Sequence, residues 1–89
     1  MAHIRFAKAF RRHVECPEAE MGGATVGKAL AAYFDRYPAV RSYVVDEHGA
    51  LRMHINVFVD STQITDPVTL GDAIAEGTQL DVFQALSGG

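Results

Sequence analysis

A mixed β-sheet gripping one main helix, an α+β fold, is what this chain predicts, and three observations predict it. Polar and apolar residues alternate near the start, in the middle and at the end of the chain, at 3–8, 52–60 and 79–86; period two is the mark of a half-buried strand. One stretch, opening at Thr25, carries apolar residues at helical spacing over several turns. Strands and helix thus segregate along the chain instead of alternating regularly, which points to a mixed sheet of four to five strands packed on a helix.

In His3-Ile4-Arg5-Phe6-Ala7-Lys8, Ile4 and Phe6 are placed toward the core. Residues 14–21 form a weaker strand candidate. Pro17 within it has no N–H to give a ladder, which demotes it to a sheet edge. Gly22-Gly23 then breaks the pattern. Thr25 can cap the first turn of the helix with its hydroxyl. Val26, Ala29, Leu30, Tyr33, Phe34 and Tyr37 follow as one apolar stripe, and Pro38 stops the helix. A helix of about 13 residues, near 20 Å long, covers one face of a small sheet. Residues 40–45 read as either a helical turn or a strand, and Asp46-Glu47-His48-Gly49 as a turn. In 52–60, Met53, Ile55, Val57 and Val59 share the inner face, opposite His54, Asn56 and Phe58. Asp60-Ser61-Thr62 turns the chain into the short run 63–65. Leu70 and Ile74, at helical spacing, suggest a short helical turn in 67–76, closed by Gly77 as a left-handed cap. In the last strand, 79–86, Leu80 and Val82 point inward, Asp81 and Phe83 outward.

With the first and last strands parallel at the centre, the Pro17 strand falls at the outside, where a proline is tolerated. That arrangement is the β-grasp, or ubiquitin-like, architecture. It spans residues 1–86 and leaves 87–89 as a tail. A terminal Gly88-Gly89 is expected to be flexible, since glycine loses the most backbone entropy on ordering. Residues 85–89, fully extended, reach roughly 17 Å. Such a thread can enter a narrow channel in another protein that any Cβ would block, and its carboxylate can be activated there away from water.

Composition narrows the function classes. Eighty-nine residues make one domain with a modest core. A net charge of −3 repels phosphates, so no nucleic-acid partner is expected. The lone Cys16 cannot form an internal disulfide. A [2Fe–2S] cluster, which needs four thiolates, is excluded. Cys16 lies between Glu15 and Glu18, without the cationic surroundings of a reactive thiol, and reads as a structural, half-buried group. His3, His13, His48 and His54 sit on different elements and suggest no metal site. Arg11-Arg12 reads as a solvated basic pair. No signal-type apolar segment follows Met1, and no apolar run approaches the ~20 residues that span a bilayer, so a cytoplasmic protein without membrane contact is expected.

The chain resembles the MoaD/ThiS family of ubiquitin-like sulfur carriers. The residues that carry the resemblance are Thr25-Val26-Gly27, Ile55-Asn56-Val57-Phe58-Val59-Asp60, the stretch from Leu70 through Ala73-Ile74-Ala75 to Gly77, and Ala85-Leu86-Ser87-Gly88-Gly89. The asparagine-containing strand and the Ala-x-x-Gly-Gly end look closest to CysO-type carriers serving cysteine synthesis. The chain has Gln84-Ala85 where molybdopterin synthase small subunits often carry Pro-Pro.

The resemblance implies a chemistry. A ubiquitin-activating-type enzyme adenylates the Gly89 carboxylate with ATP, and sulfur replaces AMP to leave a thiocarboxylate for biosynthesis of cysteine, molybdopterin or thiamine type. Gly88 and Gly89 are the activated end, and the acceptor is a synthase. ATP and every catalytic group belong to the partner. The chain is then not an enzyme, binds no cofactor of its own and is a monomer when free. Phe83 and Phe58 share the outer sheet face that docks the activating enzyme in β-grasp proteins, with Leu86 and Ser87 beside them; Arg52 and His54 are candidates to flank that patch. Exposed aromatics are favoured interface anchors. Two other functions use the same residues: a protein modifier joined through Gly89 to lysines, and a β-grasp interaction module whose tail is idle.

Overall fold

The computed structural model describes residues 1–84. Leu86, Ser87, Gly88 and Gly89, and with them the tail assigned from the sequence, lie outside the described residues. The elements run β1 (Ala2–Phe6), α1 (Lys8–Arg11), β2 (Ala19–Met21), α2 (Val26–Arg36), α3 (Pro38–Val44), β3 (Ile55–Val59), β4 (Thr62–Gln63) and β5 (Gln79–Gln84).

The five strands form one sheet in the order β2-β1-β5-β3-β4. β1 and β5 are parallel, with Arg5 opposite Asp81 and Phe6 opposite Val82. All other neighbours are antiparallel. The first and last strands therefore meet at the centre, as the element order predicts, and the sheet with its main helix is a β-grasp. Pro17 precedes β2, which is an edge strand as expected but shorter than 14–21.

The core forms where the two periodicities meet. Ile4, Phe6, Val57, Leu80 and Val82 are buried on the inner sheet face, against Val26, Ala29, Leu30, Tyr33 and Phe34 of α2. Full burial of such side chains contributes roughly 1.5–3 kcal/mol each before the entropy of ordering them is subtracted. Thr25 caps α2 as expected, its Oγ1 accepting from the Lys28 N–H at 3.2 Å. The Val26 and Gly27 N–H groups donate instead to the carbonyls of Asp72 and Leu70, at 3.0 and 2.8 Å. Gly27 permits this approach, since a Cβ there would lie 3.1 Å from the Leu70 carbonyl oxygen.

Several expectations are corrected. α2 has 11 residues, and Tyr37 is its C-cap. Pro38 ends α2 but also opens α3, because a missing N–H costs nothing in a first turn. Residues 40–45, left open between turn and strand, are mostly helical and bury Val40 and Val44. α1 was not anticipated; its single turn buries Phe10 edge-on against Phe6, with ring centroids 5.6 Å apart. The middle strand begins only at Ile55: His54 has φ 73, and Met53, assigned to the inner face, is 82% exposed. Residues 67–76 form no helix. Leu70 is buried at φ 57, and Gly77, at φ 77, turns the chain toward β5 without capping a helix. The turn after β3 is as read, with Asp60 and Ser61 both at positive φ, the backbone of a two-residue hairpin.

Candidate functional site

β5 is the last described element before the residues that the sequence singles out as the tail. It lies between β1 and β3 and is paired on both sides. Register ends first toward β1, at Phe6–Val82, and then toward β3, at Ile55–Gln84. The Ala7 N–H closes the β1 side by donating to the Val82 carbonyl at 3.0 Å. Gln84 is thus the last described residue of β5, and it lies beside the start of β3, with α1 against the same strand.

Near the end of β5 the outer face carries the two aromatics read from the alternation. Phe58 and Phe83 sit on β3 and β5 with ring centroids 5.5 Å apart at 86°, an edge-to-face pair. Phe83 is 43% exposed. Both expected patch residues are therefore brought together. The flanking groups differ from expectation. Arg52 donates from Nε to the Ser42 carbonyl at 2.6 Å, and His54 sits in the turn before β3. The depression over the aromatics, about 520 Å³, is lined by Phe58, Phe83, Arg5, Asp81 and Ser61.

Arg5 and Asp81 form the polar side of that depression. The Arg5 Nε donates to Asp81 Oδ1 at 2.8 Å, and the Gln79 amide donates to the same oxygen at 3.3 Å. The hydrogen bond to Asp81 holds the Arg5 guanidinium's pKa above its ordinary value. The Asp81 carboxylate is nearly buried while the guanidinium is half exposed, so the pair presents a fixed cation with its counter-charge behind it. Sequence reasoning missed this pair. Its signal was the alternation itself: Arg5 lies between inward Ile4 and Phe6, and Asp81 between inward Leu80 and Val82. The register between β1 and β5 was the missing link.

Cys16 is buried, more fully than the half-buried thiol expected. Burial raises its pKa, opposed by nearby Arg11, so it is a poor thiolate and packs as a small apolar group. Among the described residues, no group of three His, Cys, Asp or Glu side chains could hold a metal ion. Arg11 pairs with Glu18 at 3.9 Å, and His3 with the same carboxylate at 2.7 Å. No described helix is long and apolar enough to cross a membrane.

The ThiS family model matches residues 6–89. The chain belongs to the ThiS family. This places it among the ubiquitin-like sulfur carriers and small modifiers that the resemblance indicated. It is similar to small archaeal modifier protein 1 of Haloferax volcanii, with 41% identity over 68 residues, 76% of this chain and 74% of the relative. The crystal structure of SAMP1 from Haloferax volcanii superposes with a TM-score of 0.78 at 31% identity, covering 99% of this chain and 98% of that one. A chain of the Amycolatopsis orientalis BexX/CysO complex superposes with a TM-score of 0.83 over 100% of both chains. At 23% identity that likeness is one of fold.

Proposed function

We propose that this ThiS-family chain is a sulfur carrier protein whose Gly89 carboxylate is activated by a separate adenylating enzyme and converted to a thiocarboxylate. The observation that carries the reading is the placement of β5: the strand leading to Gly88-Gly89 is the central, doubly paired strand, so the domain offers its end from a rigid base. The family match running through residue 89 supports it. In the first step the Gly89 carboxylate oxygen attacks the α-phosphorus of ATP, giving an acyl-adenylate and pyrophosphate. In the second a sulfur nucleophile attacks the acyl carbon and AMP leaves. A carboxylate is a poor electrophile and an acyl-adenylate a good one, because AMP is a stable leaving group. Both steps take place in the partner, which supplies ATP and the catalytic groups. This chain contributes an end slim enough to enter and the Phe58–Phe83 face that holds it there. The domain works in the cytoplasm, and a cysteine-type synthase is the favoured acceptor.

A second reading has a specific observation behind it, the similarity to a protein named as a modifier. There the activated Gly89 carbonyl is attacked by a lysine amine, an isopeptide bond forms, and AMP is released. Intact mass spectrometry of protein isolated from its native cells separates the two. A carrier shows a fraction heavier by the sulfur-for-oxygen exchange, which iodoacetamide alkylates in Cys16→Ala protein as well. A modifier shows reductant-resistant conjugates of higher mass. Alkylation that disappears in Cys16→Ala overturns sulfur carriage at Gly89.

A further inference from the structure

The helix side of the molecule holds a cleft that the carrier reading does not use. It runs between α2, α3 with the turn after it, and the 67–71 loop, and encloses about 610 Å³, within the usual range of ligand sites of roughly 300–1,000 Å³. Its floor is the α2 flank at Ala31 and Phe34, and its rim carries Val68, 65% exposed. Lys28, Arg41 and His48 surround it, and among the described residues no Asp or Glu lines it.

That charge is unusual for this chain, where acids outnumber Lys and Arg by 11 to 8. Arg5 is neutralised by Asp81 and Arg11 by Glu18, while Lys8, Arg12, Arg36 and Arg52 lie outside the cleft and, like the cleft cations, have no ion pair among the described residues. Lys28 and Arg41 form no ion pair among the described residues. His48 has Glu47 beside it at 3.6 Å. Two further acids flank this side: Asp66 is occupied by N–H groups of Val68, Thr69 and Gly71 and by the Thr69 hydroxyl, and Asp46 by the N–H groups of His48 and Ala50. The cleft is thus a cationic trough with Ala31 and Phe34 at its floor and one exposed aliphatic rim residue. α2 packs on the inner sheet face, while Phe58 and Phe83 point outward, so occupants of the two surfaces do not compete.

We propose that this cleft binds an acidic, aliphatic-containing segment of a partner protein, independently of the Phe58–Phe83 face. Carboxylates along the segment meet Lys28 and Arg41, and a small aliphatic side chain enters between Ala31 and Val68. Charge complementarity selects this occupant over a neutral helix or a basic segment. A carrier passed from an activating enzyme to an acceptor gains from a second surface, because either protein can engage before the other leaves. The assignment stands whether or not Gly89 carries sulfur.

The test is fluorescence anisotropy of the full chain with a labelled EDVELD peptide, a KKVKLK peptide as counterpart, and amide chemical-shift mapping. EDVELD binds, KKVKLK does not, and the shifts centre on Lys28, Ala31, Arg41 and His48. Lys28→Glu/Arg41→Glu weakens EDVELD about tenfold and lets KKVKLK bind, as expected for two rim contacts of modest individual strength. Ala31→Trp, which fills the floor and leaves the charges in place, also removes binding and covers the case in which the double variant misfolds. Arg36→Glu, a charge reversal outside the cleft, leaves affinity unchanged. Equal binding of both peptides, shifts centred elsewhere, or displacement of EDVELD by inorganic phosphate at matched ionic strength overturns the proposal.

Discussion

Gly23 lies at φ 155, and a Cβ there would sit 2.7 Å from the Ala29 nitrogen and 3.0 Å from the Lys28 carbonyl carbon. Both neighbours are helix backbone and cannot yield cheaply. Gly23→Ala is therefore expected to cost about 2–3 kcal/mol, seen as a lower urea midpoint. Gly22→Ala, with nothing within 4 Å of the added methyl, should stay within about 0.5 kcal/mol of the parent. Phe83 presents the converse case, a large side chain 43% exposed, whose removal is expected to leave the fold intact. If the proposed activating enzyme docks on this face, Phe83→Ala and Phe58→Ala are expected to weaken its binding by about 1–2 kcal/mol each, with sub-additive effects because the rings touch. Calorimetric titration with that enzyme, alongside an unchanged far-UV spectrum, checks it. An unchanged affinity in the double variant removes the outer face from the docking surface.

At the scale of elements, α2 is held at both ends by chain outside it. The buried Tyr33 donates its hydroxyl to the Pro17 carbonyl at 2.7 Å, fixing the connector before β2 against the helix, while the 70–72 segment caps the first turn. Burial pushes the Tyr33 pKa up, keeping the phenol a donor. Tyr33→Phe removes that donor and leaves the carbonyl unpaired, so a loss of about 1 kcal/mol in the denaturant midpoint is expected. The same elements show what could be read beforehand. α2 and the three long strands were legible because each repeats its period enough times to identify the face it buries. α1 was not, since one turn around Phe10 has no period. Pro38 was ambiguous in principle, for a proline that ends one helix is equally suited to begin the next. Leu70 and Ile74 misled by spacing. Their segment is organised by the Asp66 and Asp72 carboxylates collecting backbone N–H groups, and a periodicity argument does not see such side-chain acceptors. The Phe58–Phe83 patch followed from alternation alone, whereas the Arg5–Asp81 pair needed the register between strands far apart in sequence.

For the whole molecule, acid is expected to loosen the fold. Hydrogen bonds from the Thr69 side chain and backbone, joined by Gly71 and Val68, hold the Asp66 pKa down to about 2, from 3.8. Asp72, through the Thr65 N–H, Asp46, through the His48 N–H, and Glu18, through His3, are lowered too. A depressed carboxylate binds fewer protons folded than unfolded, so its contribution is present above the ordinary carboxylate pKa. It is lost as pH falls through the folded value. Urea midpoints should hold steady from pH 7 to about 5 and then decline toward pH 2. Asp66→Asn should start lower and decline less steeply over that acid range. A slope identical to the parent's would show that the 66–72 network does not govern acid stability.

The doubly paired position of β5 also has a mechanical meaning. Tension applied at Gln84 along the strand axis acts across both ladders at once. The hydrogen bonds to β1 and β3 are then loaded in shear, together, and cannot be peeled one at a time. Covalent attachment through the C-terminus would thus make the domain a stiff handle, one that a translocating machine must rupture in a single event before any of the chain follows.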